Sequence, residues 1–101
     1  MIEIRQTEAF SAWLRALRDS RAKAKIAVQT RRLAFGNSGD AQPVGKGVSE
    51  LRIDYGPGYR VYYVQRGSIF ILLLCGGDKS TQEKDIKMAL KLAKEIEEVI
   101  A

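Results

Sequence analysis

Histidine is absent from this 101-residue chain, cysteine occurs once and proline twice. Without histidine there is no Ser-His-Asp arrangement and no imidazole to exchange protons near neutral pH. One cysteine and no histidine fall short of a zinc ligand set, so no metal is expected, and Cys75 has no partner for an internal disulfide. The longest apolar run, Ile69 to Cys75, is far below the roughly 20 residues that span a bilayer. The N-terminus has no apolar stretch leading to a cleavage-like site. These absences set the expectation of a cytoplasmic protein with no membrane contact, in which Cys75 is a small core residue ending a strand.

What is present is positive charge. Seventeen Lys and Arg stand against twelve Asp and Glu, a net charge of +5 on a length that suits one domain, residues 1–101. The excess is uneven: residues 1–35 hold eight basic and three acidic side chains, and residues 80–101 hold four and five. A basic half fits either a polyanionic or acidic partner, or simply a solvated helix face.

Ile2 to Arg5 opens as a short strand, and Thr7 is placed to cap a helix whose Phe10, Trp13, Leu14 and Leu17 share one face. Asp19 and Ser20 can cap a second helix, Arg21 to Phe35, stopped by Gly36 and Asn37; together the two predict a helical hairpin. Residues Asn37 to Gly47 read as a loop carrying Lys46, because glycine and proline recur among polar residues. From Val48 the period becomes two, with Leu51, Ile53 and Tyr55 expected to meet the helices and Glu50, Arg52 and Asp54 on the other face. Gly56-Pro57-Gly58 turns the chain into a returning strand, Tyr59 to Val64, and the run to Cys75 has the character of a central strand ended by Gly76 and Gly77.

Ser80 followed by Glu83 is a capping-box pattern for a last helix, in which Ile86, Ala89, Leu90, Ala93, Ile96 and Ile100 form a stripe. Its outer face alternates Lys84, Lys87, Lys91 and Lys94 with Glu83, Glu95 and Glu98, a pattern of i, i+4 pairs suited to solvent or to a partner. The predicted order is β-α-α-β-β-β-α, an α+β fold with a small, mainly antiparallel sheet packed on the helical hairpin and the C-terminal helix.

Basic side chains on a stiff sheet are the candidates for chemistry. Arg52 and Arg60 fall on neighbouring strands, and Lys79 follows the next one; such a group can hold a phosphodiester and stabilise charge building on its oxygens. Arg52 can equally pair with Glu50 or Asp54. Gly76-Gly77-Asp78-Lys79-Ser80 lacks the first glycine of a P-loop. Tyr59 and Tyr63 suit the core, Trp13 suits the helix stripe, and Tyr62, sharing the parity of Arg60, suits stacking on a base.

The pattern as a whole resembles the RelE/HigB-like toxins of bacterial toxin-antitoxin modules, in the branch of addiction-module killer proteins of the RelE/ParE superfamily. The segments that carry it are Gly36-Asn37 with Gly39-Asp40, Pro43-Val44-Gly45, Glu50-Leu51-Arg52-Ile53, Gly56 to Tyr63, and Gly76 to Gln82 leading to Asp85-Ile86. The resemblance implies a RelE-like fold and an endoribonuclease that cleaves mRNA in the ribosomal A site without metal or cofactor. It also implies neutralisation by a cognate antitoxin, in the HigB branch a helix-turn-helix protein. By motif match Arg60 is the family's phosphate-binding arginine and Lys79 a phosphate-binding or proton-donating residue. Arg52 lies on the strand where ribosome-dependent members carry basic side chains. These three are the candidate catalytic residues, and Lys46, Tyr62, Arg31, Arg32 and Lys84 are the candidate RNA contacts. Relatives often place a tyrosine or histidine near the last helix, where this chain has Lys84 and Asp85, so the general base is unassigned, with Lys46 or a water as substitutes. The superfamily also includes ParE-type toxins that inhibit DNA gyrase and cleave nothing, and a catalytically degenerate antitoxin-binding module is a further alternative.

Overall fold

Strand β1 (Glu3–Gln6) leads into α1 (Glu8–Ala16) and α2 (Ser20–Leu33), followed by β2 (Ala41–Gly45), β3 (Val48–Ile53), β4 (Tyr59–Arg66), β5 (Phe70–Gly77), a 3₁₀ turn (Lys79–Thr81) and α3 (Gln82–Ile100). The computed structural model describes residues 1–100, with side chains through Glu98. The sheet order is β1-β5-β4-β3-β2; β1 runs parallel to β5 and the other neighbours are antiparallel, so the fold is α+β around a five-stranded mixed sheet. No described helix is long and apolar enough to cross a membrane.

Helices α1 and α2 cover one face of the sheet and α3 the other. The first core joins Phe10, Ile26 and Leu33 to Leu51, Ile53, Val61, Tyr63, Ile71 and Leu73, as the strand alternation predicts. The second joins Val48, Tyr62, Val64, Leu74 and Cys75 to Ala89 and Ala93, with Ile86, Leu90 and Ile96 packed against it. The Ile100 position of that stripe lies outside the described side chains. A register shift between Tyr62 and Tyr63, opposite Cys75 and Leu73, makes Leu74 the extra residue of a bulge, which turns both Leu74 and Cys75 toward α3.

The helix ends follow the expected chemistry at both N-termini on this face. The Thr7 hydroxyl accepts from the Phe10 amide and donates to the Leu74 carbonyl at 2.5 Å, while the Asp19 carboxylate accepts from the amides of Arg21 and Ala22. Gly36 takes the left-handed conformation at φ 81°, with its amide on the Leu33 carbonyl and that of Asn37 on the Arg32 carbonyl, a Schellman-type stop.

Two expectations are corrected. The stretch read as a loop contains β2, which pairs antiparallel with β3 through the two-residue Lys46-Gly47 turn, both residues at positive φ. An edge strand tolerates Pro43, whose missing donor faces no neighbour, so proline and glycine there signalled an edge and not an absence of pairing. The cap before the last helix is Asp78, not Ser80: its carboxylate accepts from the Ser80 amide, and Thr81 completes the reciprocal box.

The double glycine does more than end β5. A Cβ on Gly76 would collide with the Trp13 indole, and one on Gly77 with the Asp85 carboxylate and the Thr81 hydroxyl. Trp13, which also stacks at a tilt on Phe10 with centroids 5.7 Å apart, and Asp85 thus approach the same strand end from opposite faces.

Candidate functional site

Register places Glu50 opposite Tyr62 and Arg52 opposite Arg60, so these four side chains form a square on the α3 face of the β3–β4 hairpin. Glu50 is the centre of it, wholly buried. Its carboxylate accepts from Arg52 Nε at 3.1 Å, from the Tyr62 hydroxyl at 3.0 Å and from Gln82 Nε2 of α3 at 2.9 Å, and lies 3.8 Å from Arg60 Nε. Burial alone raises a carboxyl pKa, but these donors, with the Arg60 charge, outweigh it and hold Glu50 below the ordinary glutamate value. Tyr62 is pushed up, by burial first and then by the Glu50 charge and hydrogen bond.

Arg60 is nearly buried as well, at 9% exposure. Its Nη1 donates to the Gly58 carbonyl at 2.7 Å, and its Nε has no hydrogen-bond partner among the described residues. Gly58 stands at φ 79°, and a Cβ there would lie 3.2 Å from Arg60 Nη1 and 3.5 Å from the Lys79 Cβ. The Lys79 amide donates to the Pro57 carbonyl at 3.4 Å, which ties the 3₁₀ turn to the hairpin turn. Arg60 and the root of Lys79 therefore meet where the Gly56-Pro57-Gly58 turn leaves room, with the Lys79 side chain exposed. Asp78 sits beside them, held below its ordinary value mainly by the Ser80 hydroxyl, with Arg60 adding to the effect.

Arg52 is half-exposed and turned toward β2, where the hydrogen-bonding pattern orients the Gln42 amide oxygen to accept from it. The expected trio is thus assembled, but with two carboxylates among three cations. Lys84, exposed in the first turn of α3, lines a shallow hollow with Ser80, Thr81, Glu83 and Lys87.

The other expected RNA contacts are not here. Tyr62 is fully buried and cannot stack on a base: α3 covers the face that strand parity left open, and the hydroxyl is committed to Glu50. Lys46, in the β2–β3 turn, lies beyond the far end of β3, whose first residue Val48 is already about 13 Å from Arg52 at the rise of a strand. It is therefore no substitute for the general base. Arg31 and Arg32 are exposed, but on α2, across the sheet from Arg60.

Sequence reasoning placed Glu50 only as a pairing partner of Arg52, which it is, and gave no site role to Gln82 or Asp78. The signal for Glu50 was Val48 at the same parity two residues earlier, an apolar residue announcing that this face is also covered. Cys75 is buried, with its thiol pushed up to about 12 by burial and by the Asp85 charge, as befits a core residue.

A protein of Haemophilus influenzae described as uncharacterized is 54% identical over 95 residues, spanning 94% of this chain and 96% of its own length. The chain belongs to that protein's family. The shared span takes in nearly the whole of both chains, so the hairpin, the 3₁₀ turn and most of α3 fall in one aligned unit. No protein-family model matches the chain.

Proposed function

We propose that the protein is a RelE/HigB-like toxin of a toxin-antitoxin module, acting in the cytoplasm as a metal-independent endoribonuclease on ribosome-bound mRNA. A cognate antitoxin, a helix-turn-helix protein in the branch it resembles, would neutralise it. The observation that carries this reading is the meeting of Arg60 and Lys79 at the Gly58 turn, with the guanidinium held by the Gly58 carbonyl. In the reaction the ribose 2′-oxygen bonds to the adjacent phosphorus as the bond to the 5′-oxygen breaks. Arg60 stabilises the charge on the equatorial oxygens, and Lys79 supplies a proton to the departing 5′-oxygen, while a water removes the 2′ proton. Arg52 adds positive potential at the edge, moderated by Glu50.

Primer extension on translating ribosomes tests it. The wild type is expected to cut within A-site codons, and Arg60→Ala to lose roughly 10²- to 10³-fold in rate, the usual effect of removing one transition-state donor. Intact mRNA with the wild type rejects the reading.

One observation favours a second reading, a ParE-like toxin that inhibits DNA gyrase without cleavage, or a degenerate module that retains only antitoxin binding. Both carboxylates near Arg60 are held below their ordinary values and are weak bases. Inhibition of purified gyrase in a supercoiling assay, with mRNA left whole, would select the gyrase alternative; no response in either assay would leave the degenerate module.

A further inference from the structure

Lys84, Lys87, Lys91 and Lys94 follow one another at steps of three, four and three along α3, so they share one face, and all four are exposed. The i, i+4 ion pairs that the sequence suggests for them are not made. Among the described residues the one ion pair of α3 is Glu97 with Arg66 Nη2 at 2.8 Å, and no carboxylate occurs in the sequence between Asp85 and Glu95. Asp85 itself is turned to the Thr81 hydroxyl at 2.5 Å.

The stripe connects two places. At its start Lys84 and Lys87 share a hollow with Ser80, Thr81 and one carboxylate, Glu83, immediately after Lys79. At its end Lys91 and Lys94 share with Lys46 and the Arg66–Glu97 ion pair a groove of about 500 Å³ that also takes in Val64 and Leu90. Lys46, lost to the Arg60 site by distance, thus reappears with a cationic group of its own. From Lys84 to Lys94 the helix rises about 15 Å, one positive charge about every 5 Å.

We propose that this stripe is a track for the sugar-phosphate backbone of single-stranded RNA, running from the Arg60–Lys79 site to the Lys46 groove. The inference rests on the RNA-directed reading above and adds the path the strand takes. Flexible lysine stems suit successive phosphates as point charges. An acidic protein helix would need an apolar ridge beneath its contacts, whereas here the apolar floor is confined to one end, where a base can rest on Val64 and Leu90.

The test is ribosome-free: anisotropy titration of a short fluorescein-labelled oligouridylate over a range of salt, with wild type, single Lys→Gln variants of the stripe, and the fourfold variant. All four side chains are exposed, and melting curves check the fold. The slope of log affinity against log salt is expected to fall by about 0.7 per lysine removed, and roughly 3 for the fourfold variant. Lys23→Gln on the opposite face is expected to leave it unchanged. A fourfold variant that binds with unaltered slope overturns the track, as does one that keeps RNA and loses a co-purifying acidic protein. Primer extension run in parallel separates the two ideas. A wild type that binds through the stripe but cuts nothing removes the nuclease reading alone; a fourfold variant that binds and cuts normally removes the track alone.

Discussion

Removing the Glu50 carboxylate is the most severe single change the structure points to. Glu50→Ala takes from the buried Arg60 its ion-pair partner, leaving Asp78 as the carboxylate nearby, and breaking such a pair costs about 3 kcal/mol. The Tyr62 hydroxyl and the Gln82 amide each lose an acceptor, about 1 kcal/mol apiece, while half-exposed Arg52 turns to water at little cost. The expected loss is thus about 4–5 kcal/mol, a Tm drop on the order of 15 °C or more for a domain of this size. Glu50→Gln, which keeps the shape and one acceptor, should lose about 2 kcal/mol in urea denaturation. The pH dependence has a definite sign. The folded carboxyl lies below the ordinary value of 4.5, so its contribution is complete above that pH and disappears as pH falls through the folded value. The advantage of wild type over Glu50→Gln should therefore narrow as the pH falls below 4.5. The decisive comparison is Glu50→Met against Glu50→Met with Arg60→Met: if Arg60 is the stranded charge, the double variant regains about 2 kcal/mol. A double variant no more stable than the single one, or a loss under about 1 kcal/mol for Glu50→Ala, refutes the account.

The glycine pair and the cysteine provide two further checks. Gly77→Ala should cost about 1–3 kcal/mol in chemical denaturation, because its Cβ meets the Asp85 carboxylate; shortening the obstacle in Gly76→Ala/Trp13→Leu should offset part of the corresponding loss at Gly76. Cys75 should resist a thiol reagent in the native protein at neutral pH and react at the rate of unfolding, so rapid native labelling would contradict its burial.

The strand and helix periods were legible in the residues because each reports a face directly: Phe10, Ile26, Leu51, Val61 and Ile71 fall on one core by alternation and helical spacing alone. So were the turn at Gly56-Pro57-Gly58 and the basic character of the hairpin, whereas the Lys46-Gly47 turn lay inside a stretch that read as a loop. The second core was legible in part, through the α3 stripe and the apolar run to Cys75, but on β3 and β4 period two separates the two faces of a strand without saying that both are covered. Only the packing of α3 on the sheet buries Glu50 and Tyr62, and burial changes what they are. An apparently solvent-facing glutamate becomes the acceptor for one arginine and the counter-ion of another, and an apparent stacking tyrosine becomes its donor. Proximity across the chain was likewise decided in three dimensions. Gly58 brings Lys79 to Arg60, whereas the length of β3 carries Lys46 away to Lys91 and Lys94. Sequence determines which residues can be charged, apolar or left-handed; which charges meet, and which of them water still reaches, follows from how the layers close.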